Sequence, residues 1–209
     1  YMQGEYGVHA IHFVDSFFNM NKEKAKDFQT GFNNEKLNLK WSMETRVDTL
    51  TCEIIDRLYE TGLRAIKIGI ESQDNELLKK YNRIPPDINH AINIVKHCNQ
   101  KGIRTNICYI IGFPGQTKND IVKTLELAKK LNSTFANFFI FTPIPGTDFI
   151  KNNNIEIIDN NLNHRDNFHL VFKHKNFNNK KLRKIQSRFI RKYYFRISWV
   201  LKYLKLKKK

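Results

Sequence analysis

The 209-residue sequence contains no long apolar run, no secretory signal and only three cysteines. No stretch approaches the ~18 apolar residues that indicate a membrane-spanning helix. No charged start followed by an apolar segment indicates a signal peptide. Cys52, Cys98 and Cys108 show neither a C-x-x-C pair nor the spacing of metal ligands, which predicts buried, reduced thiols. We therefore expect a globular protein of the cytoplasm.

The net charge of +16 is concentrated at the carboxyl end of the chain. From Lys180 to Lys209 the sequence has thirteen lysines and arginines and no acidic residue. The preceding 179 positions are close to balance, with 23 basic and 20 acidic residues. The body of the protein therefore lacks the basic surface of a nucleic-acid-binding domain, and nucleic acid is not an expected partner.

Apolar runs that predict β-strands alternate with amphipathic patterns that predict helices over the first 150 residues. A helix is predicted between Asp48–Thr49 and Gly62. The predicted strands are 10–14, 39–43, 65–70, 107–111 and 135–141, and the other main helices are 21–32, 74–81, 87–100 and 118–131. This alternation favours right-handed βαβ units and a parallel sheet, so the fold class is α/β.

The run 107–111 leads directly into a turn that contains Gly112 and Gly115. Its lack of polar alternation predicts a strand that is buried on both faces. The glycines permit a tight turn with no Cβ in the way of a ligand, and exposed amides there could bind a polar or anionic group. Thr117 is a predicted helix N-cap, with Asp120 at the third position of the helix.

Polar residues follow the predicted strands at the points where the strands end. In parallel sheets and barrels, ligands bind at this carboxyl edge. The residues concerned are Asp15, Glu44, Glu71, Ser72, Gln116 and Thr142.

The region after Ile150 differs in composition, with an Asn-rich loop at 151–163 and a short predicted strand at 169–172. From Asn178 an apolar stripe at helical spacing is flanked by Lys and Arg. This tail could pack across the body, lie on an anionic membrane as an interfacial helix, or bind nucleic acid. The stripe consists of Leu182, Ile185, Phe189, Tyr193, Ile197, Leu201 and Leu204.

Five stretches in order, HFVDSFF, KWSMETRVD, AIKIGIES, CYIIGFPGQT and TPIPGT, resemble the later part of the radical S-adenosylmethionine (radical SAM) core domain. The most similar variant is that of cobalamin-binding radical SAM proteins, and methylthiotransferases are related. The resemblance implies a partial (β/α)6 TIM-like barrel that lacks its first βα unit and carries a C-terminal helical extension. It implies a core at 1–150, a connection at 151–177 and a basic helical tail at 178–209.

The resemblance also implies a 4Fe-4S cluster that cleaves S-adenosylmethionine to a 5′-deoxyadenosyl radical. The family holds this cluster with a C-x-x-x-C-x-x-C motif, which this sequence does not contain. The cluster cysteines are expected upstream of Tyr1 in a longer protein, in which a missing N-terminal domain could also bind cobalamin. A homologue that has lost its cluster is the alternative, and no metal ligand is expected in this chain.

Roles for the strand-end residues follow from the same resemblance. Asp15 and Ser16 lie where the family contacts the methionine amino group. Glu44 faces the same opening and would contact cofactor or substrate. Glu71 and Ser72 lie where the family binds the ribose hydroxyls or the methionine carboxyl.

The adenine is expected next to the turn that follows the fourth predicted strand. Ile110, Gly112 and Gly115 belong to the family's adenine-lining motif, and Thr142 ends the next strand nearby. Gln116 replaces the usual Glu of this motif, which argues against a charged role there.

Each of these residues also has a purely structural interpretation. Asp15 could cap a helix, Glu44 and Glu71 could be solvated strand ends, and Arg46 could simply pair with Asp48 or Glu71. The histidines are interpreted as ordinary surface or core residues, namely His9, His12 and His90.

The sequence thus predicts a fragment of a radical SAM enzyme that uses an electron donor and acts on a small-molecule or lipid-like substrate. Methylation, cyclisation, methylthiolation and other C–H abstractions all remain open. The alternatives are a cluster-less barrel that binds a nucleotide or a protein partner without catalysis, and an unrelated parallel-sheet enzyme. Peripheral membrane contact through Lys180 to Lys209 would be compatible with a cytoplasmic, membrane-associated enzyme.

Overall fold

A computed structural model describes residues 1–15, 18, 20–147, 150 and 155–207. Within these residues the fold is built on one five-stranded sheet in which every strand pairs in parallel with its neighbour in sequence. The predicted α/β class and parallel sheet are confirmed. The strands are β1 (Ala10–Phe13), β2 (Lys40–Thr45), β3 (Leu63–Glu71), β4 (Arg104–Ile111) and β5 (Phe135–Ile140).

Helices connect the strands and continue after the sheet. Short 3-10 helices at Val47–Thr49 and Leu162–His164 occur in the connections. The α-helices are α1 (Met2–Tyr6), α2 (Lys22–Asn34), α3 (Cys52–Glu60), α4 (Asn75–Lys80), α5 (Ile88–Lys101), α6 (Lys118–Leu131), α7 (Asn179–Tyr194) and α8 (Ile197–Lys207). No helix in the described part of the chain is both long and apolar enough to span a membrane.

Side-chain caps mark the residues at which α2, α3 and α6 begin. Thr117 and Asp120 form the predicted capping box at the start of α6. The helix α3 begins later than predicted, because Val47–Thr49 forms a 3-10 turn and the side chain of Thr51 caps the helix. Asn21, rather than Asp15, caps α2.

The two faces of the sheet differ in polarity. Along β4, Ile107 and Tyr109 are fully buried in the core shared with the helices, whereas Asn106 and Cys108 on the other face are only partly buried. We call the first the helix face and the second the open face. The prediction that 107–111 is buried on both faces is therefore wrong, because among the described residues helices cover one face of this strand and leave Asn106, Cys108 and Ile110 partly exposed on the other.

The region after the sheet departs from the prediction in two ways. No strand forms at 169–172; Phe172 makes only an isolated antiparallel bridge with Ile157. The predicted continuous stripe is divided between α7 and α8, which are separated by Phe195 and Arg196.

The helix α7 packs on β5 and is part of the core. Phe189 lies edge-on to Phe138 with ring centroids 5.4 Å apart, and the Tyr193 hydroxyl donates to the carbonyl oxygen of Ser133 at 2.7 Å. Leu182 is fully buried next to the turn after β4. The part of the predicted amphipathic stripe that lies on α7 thus packs against the body of the protein.

Candidate functional site

Glu71, the last residue of β3, has the most unusual environment at the carboxyl edge of the sheet. Its φ of 63° lies in the left-handed region that non-glycine residues rarely adopt. Its Oε1 accepts from the Arg83 guanidinium at 2.6 Å. Its Oε2 is buried and has no hydrogen-bond partner among the described residues. A strained backbone and an unsatisfied carboxylate oxygen are typical of a functional site rather than of a solvated strand end.

Burial controls the acidity of this carboxyl group. Burial raises the pKa of Glu71, and this effect outweighs the opposing influence of the Arg83 and Arg46 guanidinium groups. Arg46 is itself held by Asp48 at 2.7 Å, as one of the structural interpretations predicted. Because its Oε2 has no hydrogen-bond partner among the described residues, the carboxyl group of Glu71 has spare acceptor capacity for a hydroxyl or amine donor.

Two cavities meet at Glu71. One, of about 390 Å³, lies next to Arg46 and Arg83, and the other, of about 290 Å³, lies over the open face. Thr45, Gly69 and Glu71 line both cavities. The larger cavity is further lined by Val47, Asp48, Ile70, Leu78, Asn82, Ile84 and Pro86, and the smaller by Glu44, Lys67, Cys108, Ile110, Phe139 and Asn167.

The smaller cavity has a polar floor centred on an ion pair. Lys67 Nζ lies 2.9 Å from Glu44 Oε1, and this hydrogen bond raises the pKa of Lys67. His12 lies 3.6 Å from the same carboxylate oxygen and 2.8 Å from the Ser42 hydroxyl. These contacts link three neighbouring strands through side chains on the open face.

Three further side chains continue the open face towards β5. Asn137 donates to Asn106 at 3.0 Å. Burial raises the pKa of the Cys108 thiol, although Lys67 and Asn137 oppose this effect. Cys108 is therefore a neutral thiol and not a thiolate ligand.

The turn after β4 differs from its predicted role. The Gln116 side chain accepts from the amides of Gly112 and Phe113 at 2.8 and 3.1 Å, so these amides are not available to a ligand. A Cβ on Gly112 would lie 2.7 Å from Leu182 Cδ1, whereas one on Gly115 would meet nothing within 4 Å. Gly112 thus packs closely against α7, and of the amides that the sequence offered to a ligand, those of Gly112 and Phe113 are already occupied.

A third cavity, of about 160 Å³, lies beside the end of β5 and is lined by Thr142 and Arg83. Tyr81, which also lines it, stacks on Phe113 with ring centroids 5.4 Å apart. Because Arg83 lines both this cavity and the one of about 390 Å³, the carboxyl ends of β3 and β5 face a common region.

The structure brings together only some of the predicted site residues. Glu44, Glu71 and Ile110 share one cavity. Ser72 is buried, and its hydroxyl accepts from the Asp74 amide, so it helps to shape the turn before α4. Asp15 is exposed at the end of β1, and Ser16 lies outside the described residues.

Sequence reasoning did not identify three lining residues. Lys67 had a detectable signal, since it interrupts the apolar run of β3 between Ile66 and Ile68. Arg83 and Asn167 had no signal in the sequence. Each lies in a loop, and no periodic pattern predicts that the loop reaches the site.

The described side chains do not supply ligands for an iron–sulfur cluster. No group of three His, Cys, Asp or Glu residues among them could hold a metal ion. Cys98 is fully buried, and burial raises the pKa of its thiol to about 12. His90 has a structural role, as its Nε2 lies 3.2 and 3.0 Å from the carbonyl oxygens of Val47 and Leu50.

Comparison with known proteins relates this architecture to one family. The family model of the radical SAM superfamily matches residues 2–128. The chain is 34% identical over 144 residues to an uncharacterised methyltransferase of Pyrococcus horikoshii, a match that covers 68% of this chain and 31% of that protein. It is 22% identical to the cytidylyl-2-hydroxyethylphosphonate methyltransferase of Streptomyces wedmorensis, over 72% of this chain and 29% of the enzyme.

Solved structures show the same fold. The radical SAM methyltransferase TsrM of Kitasatospora setae matches with a TM-score of 0.62 at 20% identity, covering 70% of this chain and 30% of that one. Coproporphyrinogen III oxidase of Escherichia coli matches with a TM-score of 0.58 at 22% identity, covering 66% and 33%. The five-stranded sheet thus corresponds to part of a TIM-like barrel, and the chain spans less than a third of the two methyltransferase relatives. The chain belongs to the radical SAM superfamily of enzymes.

Proposed function

We propose that the carboxyl edge of the sheet binds S-adenosylmethionine, with Glu71 accepting hydrogen bonds from the ribose hydroxyls. The observation that carries this proposal is the buried Glu71 Oε2, which has no partner among the described residues. A ribose diol would supply the missing donor in a site where water is largely excluded. Arg83, at 2.6 Å from Oε1, holds the carboxylate in place.

The rest of the ligand would extend from Glu71 towards β5. The cavity beside Thr142 and Tyr81 has the apolar and aromatic lining that suits a flat, neutral base such as adenine. Ile110 lies between these two positions on the open face. Asp15, exposed at the end of β1, is the proposed acceptor for the methionine ammonium group.

We further propose that the whole protein transfers a methyl group. The support is that two relatives similar over about 70% of this chain are named methyltransferases. TsrM, which shares the fold, has a bound cobalamin and a 4Fe-4S cluster. The described residues here contain no group of three ligands for such a cluster, so its cysteines would belong to protein outside this chain.

The open face favours a polar small molecule over the lipid-like substrate. Besides Ile110 and Phe139, which line its cavity, this face presents an ion pair, a histidine and two asparagines, and these groups suit a substrate with polar substituents. A substrate with hydroxyl, amine or carboxylate groups could form hydrogen bonds with Glu44 and Lys67, whereas an acyl chain would desolvate this ion pair without adding a hydrogen bond.

The test is calorimetric titration of this chain with S-adenosylmethionine, for the native protein and for Glu71→Gln. Replacing the carboxylate with a neutral amide is expected to weaken binding about tenfold. Glu76→Gln is the matched control, because Glu76 is on α4 with 84% of its side chain exposed and should leave affinity unchanged. Equal affinities of Glu71→Gln and the native chain, or no binding by the native chain, would refute the proposed site.

The cluster-less nucleotide-binding alternative makes a different prediction in the same titration. If the methionine part has no contacts, adenosine should bind as tightly as S-adenosylmethionine. Under our proposal adenosine binds more weakly, and Asp15→Asn reduces the affinity for S-adenosylmethionine but not for adenosine.

A further inference from the structure

The outer side of α8 carries a continuous apolar stripe. Ile197, Val200, Leu201 and Leu204 follow the i, i+3, i+4, i+7 spacing that places four side chains on one helix face. Their exposed fractions are 79%, 43%, 56% and 52%. Phe195, which precedes the helix, is 83% exposed. We call these five residues the α8 surface.

The opposite side of α8 is anchored to the protein body. Trp199 Nε1 donates to the carbonyl oxygen of Thr134 at 2.8 Å, and Lys202 Nζ donates to that of Asn132. Arg196, just before the helix, donates to the carbonyl oxygen of Lys129 at 3.3 Å. These contacts fix the rotation of α8, so the α8 surface is directed away from the body rather than exposed by fraying.

The surroundings of the α8 surface are positively charged. Arg191 and Lys192, in the last turn of α7, are exposed and precede Phe195 by four and three residues. From Lys180 onward the chain has thirteen basic residues and no acidic one. An apolar helix face within a basic segment is the pattern of helices that lie in the interface of an anionic membrane.

We propose that the α8 surface lies on an anionic lipid bilayer. The four aliphatic side chains of the helix suit acyl chains, whereas single-stranded nucleic acid is bound mainly through aromatic stacking. Trp199 and Tyr203 stack on each other at 5.0 Å, which leaves fewer aromatic faces available to bases. A second copy of this chain is disfavoured, because it would bring two segments of like charge together.

The position of α8 determines how the protein would face the membrane. Its anchors, Asn132 and Thr134, lie in the loop that precedes β5, at the edge of the sheet where the strands begin. Glu71 lies at the opposite edge, and a strand of six residues such as β5 spans roughly 20 Å. The bilayer and the candidate site would therefore be at opposite ends, and a substrate would enter from the aqueous side.

The test is flotation of the chain with vesicles of phosphatidylcholine, with and without phosphatidylglycerol. We expect the chain to float with the anionic vesicles, and added salt or Arg191→Gln/Lys192→Gln to reduce this. Leu201→Asp/Leu204→Asp should lower the partition coefficient at least about tenfold, since two apolar side chains lose their burial. Val122→Asp is the matched control, because Val122 is an apolar residue of α6 with 39% exposure and should not change partitioning.

Several outcomes would overturn the proposal. These are no flotation of the native chain, equal flotation with neutral vesicles, or loss of binding in Val122→Asp to the same extent as in the double variant. Light scattering tests for a second copy of this chain at the α8 surface, and a labelled RNA oligonucleotide tests for nucleic acid. A dimer that Leu201→Asp/Leu204→Asp dissociates, or RNA binding that this variant abolishes without any vesicle binding, would assign the α8 surface to those partners instead.

Discussion

The helix face and the open face of the same sheet have different compositions, although they alternate residue by residue. On β4 the helix face presents Ile107 and Tyr109, both fully buried, and the open face presents Asn106 and Cys108. On β3 the ion-paired Lys67 occupies the open face. Burial of apolar side chains on one face stabilises the sheet, and the polar side chains on the other face remain accessible for the ligand binding proposed above. This division of roles can be tested by mutation.

The largest expected difference is between neighbouring positions on β4. Ile107→Ala should lower the free energy of unfolding by about 2–5 kcal/mol, because it creates a cavity in the core. Cys108→Ala should cost about 1 kcal/mol or less, since its side chain borders a cavity already present. Urea denaturation followed by circular dichroism measures both values. Comparable losses would show that the open face is as tightly packed as the helix face.

The sequence was sufficient to predict the parallel sheet but not the difference between its two faces. Parallel strands follow from the alternation of apolar runs and helical patterns, which is a local signal. The polarity of the open face was missed on β4 because Cys108 and Ile110 make the run from Ile107 to Ile111 uniformly apolar in sequence. Only the folded sheet shows that Ile110 lines a cavity while Ile111 is buried.

A smaller loss of stability is expected from substitutions in the turn that follows β4. Gly112 and Gly115 both have positive φ, of 80° and 86°, so alanine at either position should cost about 1 kcal/mol in backbone strain. Gly112→Ala should cost more than Gly115→Ala, because its Cβ would lie 2.7 Å from Leu182 Cδ1. Thermal unfolding of the two variants compares them directly.

A double-mutant cycle separates packing from strain at this turn. Leu182→Ala removes the side chain that Gly112→Ala would contact, so the two changes together should cost less than the sum of their separate effects. Additive effects would mean that Gly112 is needed for its backbone conformation alone.

Gln116 illustrates a role that depends on tertiary structure. The sequence predicted that this neutral residue has no charged role, and it left the amides of the turn open to a ligand. The Gln116 side chain occupies two of them, those of Gly112 and Phe113. Similarly, Arg83 reaches Glu71 only through the course of the connection after α4, which no periodic pattern specifies.

The ion pair on the open face should contribute little to stability. Both side chains are partly exposed, 38% for Lys67 and 27% for Glu44, and such pairs contribute about 0.2–1 kcal/mol. Lys67→Met should therefore change the urea midpoint only slightly while removing a hydrogen-bonding group from the cavity of about 290 Å³. Lys79→Met, which removes the exposed pair with Glu76, is the matched control. A large loss of stability in Lys67→Met alone would assign this pair a structural role.

The smallest predicted effect concerns the anchored side of α8. Burial lowers the pKa of Lys202 from 10.5 to about 8, and the nearby Arg196 adds to this shift. Between these two values the undocked helix binds more protons at Lys202 than the docked helix, so docking should become more stable as the pH rises through this window. A neutral amine still donates to the carbonyl oxygen of Asn132, so the anchor itself is retained.

Acrylamide quenching of Trp199 measures this docking, because the other tryptophan, Trp41, is only 2% exposed. Quenching should decrease as the pH is raised from about 8 towards 10.5 in the native chain. Lys202→Met should show a much weaker dependence, because it removes the desolvated amine. Identical pH profiles for the two proteins would show that Lys202 is not desolvated. The Trp199 contact with Thr134 would then hold α8 without a contribution from Lys202.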